Sequence, residues 1–205
     1  MPAAFHFSDL LPVMVSDLTA CPEPVMLQAI REAARRFALD TEAWIVKMRP
    51  MDIVGKQQRY TLAPDFDGEI RRVAEVRQNT ADGAVNGLDG SLTAPWAYHL
   101  EQPSDLVFVN QMIPQVSVVN GLEVKVALAP FIQSQDSALD WEGCFNVWAD
   151  ALTYHARMSL CLKPGKPWSN PKLGAYFQSL YDREVGRAKV EVERRFTDMT
   201  PTVTA

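Results

Sequence analysis

The side chains that could do chemistry are few, and they are scattered. Asp65, Asp67 and Glu69 in DFDGEI form the densest acidic cluster of the 205-residue chain. A calcium loop would need oxygen ligands at both ends. The first position is Ala63 and the final bidentate position is Ala74, so an Asp-Gly turn leading into a strand accounts for the cluster better. Asp65 and Glu69 could in principle act as the paired carboxylates of a glycosidase, but sequence does not fix their separation. His155 lies among Trp148, Leu152 and Met158 at helical spacing, where a lone histidine reads as a packed residue. Ser159 and Cys161 beside it do not form a nucleophile elbow. Three cysteines (Cys21, Cys144, Cys161) and three histidines (His6, His99, His155) show neither a CxxC pair nor metal-ligand spacing. The cysteines read as free, partly buried thiols of a reducing compartment. No GxGxxG or GxxxxGK[ST] loop is present to cradle phosphates. The expectation is no catalytic residue, no cofactor and no metal.

Charge is more informative. Twenty basic and twenty-five acidic residues give a net charge of −5, which argues against a general nucleic-acid coat. From Lys163 onward there are eight basic and five acidic residues, a net of +3, so the first 162 residues carry −8. Such a split can steer the C-terminal segment toward an acidic partner. Of the five tryptophans, Trp96 and Trp168 stand beside proline in turn-like stretches and are interface candidates. No apolar run of about 18 residues exists to cross a membrane. The opening MPAAFHFSDLLPVM has no basic n-region and carries Asp9, unlike a secretory signal.

The elements that must position these residues follow from periodicity. From Pro24, Met26, Ala29, Ile30, Ala33, Phe37 and Trp44 recur at helical steps, with FSDLLPVMVSDL as a short helix or turn before them. The middle lacks that period. Stretches 58–62, 69–77, 97–102, 105–109 and 122–128 are short strands separated by PDFDG, TADG, NGLDG, QPSD and NG turns. Residues 79–91 read as an exposed, mobile loop. The helical period returns after Ser137, with Asp140 as a candidate cap, and stops at Lys163-Pro164-Gly165. Asn170-Pro171 opens a last helix with Leu173, Tyr176, Phe177, Leu180, Tyr181, Val185, Ala188 and Val192 as its apolar face. The polar tail after Phe196 is not helical. The fold class is therefore α+β: an antiparallel helical body (1–54 and 131–196), an inserted antiparallel β lobe (55–130, sandwich or half-barrel) and a tail (197–205).

The order of these pieces resembles bacteriophage head-to-tail adaptor (connector) proteins. The opening LTACPEPVMLQAIREAARRFALDTEAW is similar to that family's leader, a Cys-Pro pair before an Ala/Arg-rich helix. YTLAPDFDGEIRRVAEVR resembles its first β segments, and VKVALAP onward, through PGKPWSNP, its C-terminal half. Bulky Tyr154 and His155 in TYHARM depart from the small residues usual there. The resemblance implies a virion structural protein at the head–tail junction, made in the host cytoplasm. Its partners would be a portal protein, tail nozzle or tube proteins, and copies of itself in a homo-oligomeric ring, a dodecamer. DNA would pass through the ring without sequence-specific binding. By this likeness the C-terminal helix reaches the portal, so Arg183, Arg187, Lys189, Arg194 and Arg195, with Phe196 as apolar anchor, are the expected portal-binding residues. Three alternatives remain: a head-closure or tail-terminator protein of a long-tailed phage, a tail-associated peptidoglycan hydrolase, and a small-ligand binding module.

Overall fold

The computed structural model describes residues 6–65, 68–79, 91–101, 103–109, 113–131 and 147–197, with 91–92 and 195–197 described by backbone alone. The expected loop at 79–91, apart from its ends, and the expected cap at Asp140 lie outside the described residues. The chain is α+β. It divides into two compact units, Met1–Ala43 with Pro130–Ala205, and Trp44–Ala129.

The first unit is helical. A 3-10 turn, Phe7–Leu10, leads into α1 (Leu11–Val15), then α2 (Glu23–Thr41), α3 (Ala149–Cys161) and α4 (Pro171–Thr197). The apolar positions read in α2 are buried as expected from Met26 to Phe37. Trp44 is the exception. The helix stops at Thr41, whose hydroxyl donates to the Phe37 carbonyl at 2.7 Å and accepts the Ala43 N–H at 3.2 Å. Glu42 turns left-handed at φ 52°, and Trp44 passes into the other unit. Helices α3 and α4 are joined by residues 162–170 and pack on each other and on α2. Phe177, Tyr181, Ala188 and Val192 supply the buried side of α4. Tyr176, expected on that side, is 57% exposed, because it lies about 100° round the helix from Phe177.

The second unit is β. β1 (Ile45–Lys47) and β2 (Met51–Ile53) both pair antiparallel with β8 (Val118–Pro130), in registers Val46↔Val126 and Met51↔Leu122. β8 continues to β4 (Gly68–Gln78) and β4 to β5 (Ser91–Leu92). A second sheet holds β3 (Arg59–Thr61), β7 (Asp105–Phe108) and β6 (Tyr98–Glu101) in that order. The unit therefore starts at Trp44 rather than at residue 55: two strands too short to show a period are tied to β8 by their hydrogen bonds. Leu122, Val124, Val126 and Leu128 are fully buried, and so are Ala127 and Ala129 on the alternate face.

Gly68 opens β4 where there is no room for a side chain. A Cβ there would lie 2.9 Å from the Trp44 ring and 3.0 Å from the Ala129 carbonyl oxygen. Gly68→Val should lower unfolding stability by about 1–3 kcal/mol, the ordinary cost of overpacking. Chemical denaturation of the purified variant measures it; unchanged stability would contradict this packing.

Candidate functional site: the charged surface of the last helix

Helix α4 runs for 27 residues, roughly 40 Å at helical rise. Its buried stripe includes a carboxylate. Glu184 is 7% exposed and takes Arg187 at 3.1 Å and Arg183 at 3.7 Å. The Arg187 guanidinium also lies 4.6 Å above the Trp148 ring, which is itself buried 5.6 Å from Phe37. Arg187 is thus held against the helix pair, and both arginine side chains stay more than half exposed.

Tyr176, Arg183, Arg187, Val190 and Arg194 follow at steps of seven, four, three and four, which places them along one stripe of the helix. Tyr176 is 57% exposed and Val190 47% exposed, so the stripe mixes apolar surface with positive charge, with Glu184 three residues before Arg187 and Glu191 three before Arg194 beside it. The expected portal-binding set is therefore divided. Arg183, Arg187 and Arg194 come together. Lys189 falls on a different stripe, four residues from Glu193 and seven from Asp182. Arg195 and Phe196 continue the helix, and their side chains lie outside the described residues.

The two tryptophan candidates separate. Trp96, in the 3-10 turn Pro95–Ala97 of the β unit, is 67% exposed. Trp168 is half-buried in the turn between α3 and α4, with Lys166 Nζ 6.0 Å from its ring centre and its buried indole nitrogen without a hydrogen-bond partner among the described residues.

The acidic cluster is accounted for by ion pairs. Asp65 pairs with Arg49 at 2.7 Å and Glu69 with Arg71 at 2.7 Å, each carboxylate on its own guanidinium; Asp67 lies outside the described residues. Two buried polar clusters were not foreseen in the sequence. In the β unit Glu75, 4% exposed, accepts hydrogen bonds from Lys125 Nζ at 2.8 Å and from Arg77. Burial pushes its carboxyl upward, but the hydrogen bonds from Lys125 and Arg77 outweigh that and hold it below the ordinary range. In the helical unit Arg157, 8% exposed, donates to the Val13 carbonyl, pairs with Asp17 at 3.3 Å and lies 5.1 Å over the Phe177 ring. It joins α1, α3 and α4. Only an arginine placed at the buried phase of a helix hints at this in sequence.

His155 packs edge-on against Tyr181 at 4.8 Å, and its buried Nδ1 has no hydrogen-bond partner among the described residues. The Tyr181 hydroxyl donates to Asp40 at 3.1 Å, and Asp40 also accepts from Arg36 at 3.0 Å. Burial lowers the pKa of His155 despite the attraction of Asp40, and burial together with Asp40 raises that of Tyr181. This is helix packing. Cys21 and Cys161 are free and buried, their thiols pushed up by burial; Cys144 lies outside the described residues. Among the described residues no group of three His, Cys, Asp or Glu could hold a metal ion, and no helix is long and apolar enough to cross a membrane.

No family model and no curated protein matches this chain.

The His155 environment makes a checkable statement. A histidine with a lowered folded pKa leaves the unfolded chain binding more protons between the two pKa values, so stability rises with pH across that window. Stability should be full above the ordinary histidine value of about 6.5 and fall as pH drops below it. Thermal melts across this range should show the loss in the native chain and a much smaller one in His155→Phe. Equal pH dependence in both would contradict it.

Proposed function

We propose that this chain is a virion structural protein, a head-to-tail adaptor that forms a ring between portal and tail and extends the DNA channel. The observation that carries the reading is the basic stripe of Arg183, Arg187 and Arg194 with exposed Tyr176 and Val190, laid along a 27-residue terminal helix. Positive charge beside exposed aromatic and aliphatic surface suits docking on an acidic protein face. The order of the elements, and the PGKPWSNP turn in particular, supports the same reading through the likeness to adaptor proteins.

In this reading the buried side of α4 holds it to its own chain while the outer stripe and residues 195–205 engage the portal. Copies of the chain close a homo-oligomeric ring, a dodecamer, through heterologous contacts, where Trp96 offers an apolar anchor. The far side of the ring receives the tail nozzle or tube proteins, and DNA passes through without base recognition. No group transfer is assigned to any residue. In this reading the protein belongs to the virion, at the head–tail junction.

The test is portal binding by the purified chain. Arg194→Glu touches neither Glu184 nor Trp148, so the fold should be retained while the interface meets a like charge, costing more than about 1.4 kcal/mol, or tenfold in affinity. Deleting the residues after Phe196 should likewise leave a folded chain that fails to join portals. Unchanged affinity in both variants would overturn the assignment of this face.

A further inference from the structure

Residues 151–181 contain no aspartate and no glutamate, but four basic residues: Arg157, Lys163, Lys166 and Lys172. Arg157 is buried and engaged by Asp17 and Val13. The three lysines are exposed, at the end of the α3–α4 pair opposite to Arg194, and among the described residues none makes an ion pair. Asp17, the acid whose charge reaches Cys161 at this end, is already paired with Arg157. Arg183 and Arg187, by contrast, share Glu184.

The backbone carrying them is fixed. The Lys163 N–H donates to Leu160 O at 3.2 Å, Ser169 N–H to Lys166 O at 3.0 Å and Asn170 N–H to Cys161 O at 2.9 Å. Gly165 takes φ 72°, a left-handed value that a side chain would strain, and Pro164, Pro167 and Pro171 restrict the remainder. Asn170 Oδ1 accepts the Leu173 N–H at 3.2 Å, so α4 begins here and adds the positive end of its dipole.

We propose that this turn is a sequence-independent nucleic-acid contact: Lys163, Lys166 and Lys172 bind the phosphates of duplex DNA, assisted by the start of α4. Lysine is depleted at the centres of protein–protein interfaces, whereas hydrated ammonium groups on flexible stems suit phosphate oxygens. Three ammonium groups on phosphates read charge and not bases. A local patch also agrees with a chain of net −5, which is no general nucleic-acid coat. The inference rests on the adaptor reading only for the nucleic acid being duplex DNA, and it assigns the end of α4 away from the portal-facing tail.

The experiment is fluorescence polarisation of a labelled random-sequence duplex titrated with the full chain, alongside poly-glutamate as the competing acidic polymer. Three phosphates neutralised give a slope of about −2.7 in log K against log salt, so affinity should fall about 40-fold between about 50 and 200 mM salt. The combined variant Lys163→Gln, Lys166→Gln and Lys172→Gln should lose both the binding and the slope while keeping its helical circular dichroism and its portal affinity. Arg194→Glu should keep the DNA binding, which separates failure here from failure of the portal assignment. No binding, binding that survives in the lysine variant, or poly-glutamate binding as tight as the duplex through the same lysines would overturn the proposal. The last result would replace DNA by an acidic protein.

Discussion

The antiparallel pairing of α3 and α4 is the constraint on which the rest depends. Nine residues, 162–170, must reverse the chain, and their prolines and Gly165 leave little freedom in how they do so. Once the two helices lie side by side, Phe177, Tyr181, Ala188 and Val192 are buried, and Glu184 is buried with them. A buried carboxylate requires positive partners, and Arg183 and Arg187 bend toward it from exposed positions. The basic stripe is thus partly a consequence of packing. The charge it shows to solvent is what remains after Glu184 has been answered. Arg157 ties the same pair to the N-terminal segment through Val13 and Asp17, so the N-terminal turn and the last helix hold one another in place.

Much of this was legible from periodicity. The stripe of α2 between Met26 and Phe37, the alternation in β8 and the proline-bounded start of α4 are each repeated several times, and repetition is what a pattern needs. Trp44 was misplaced because it continues the helical step past Thr41. The end of α2 depends on a side-chain hydrogen bond and a left-handed Glu42 that no periodicity records. β1 and β2 have three residues each, too few to show alternation, and exist because β8 pairs with them. Tyr176 and Phe177 are both aromatic, and sequence cannot choose which of two neighbours a helix turns inward. The site was legible as a basic segment but not as its division. Glu184 draws Arg183 and Arg187 together, Lys189 falls among acids, and the three lysines of the turn stand out only once these ion pairs are known.

Electrostatics organise both units differently. In the β unit charge is satisfied internally: Glu75 with Lys125 and Arg77, Arg49 with Asp65, and Arg59 with Glu101 and Asp105. In the helical unit the three exposed lysines around the start of α4 make no ion pair among the described residues. Leftover charge on a fixed scaffold is available for partners, and exposed pairs that neutralise each other are not. That contrast makes the terminal helix and its turn the surfaces of interest, and the adaptor proposal gives each end a different neighbour.

The most direct measurement of that proposal is the native mass of the purified chain alone and after mixing with assembled portal rings, by sedimentation or native mass spectrometry. The account predicts a small species alone and a closed ring of many copies seated on the portal. A chain that never associates with portals, or that turns over a substrate steadily as an isolated polypeptide, would contradict it.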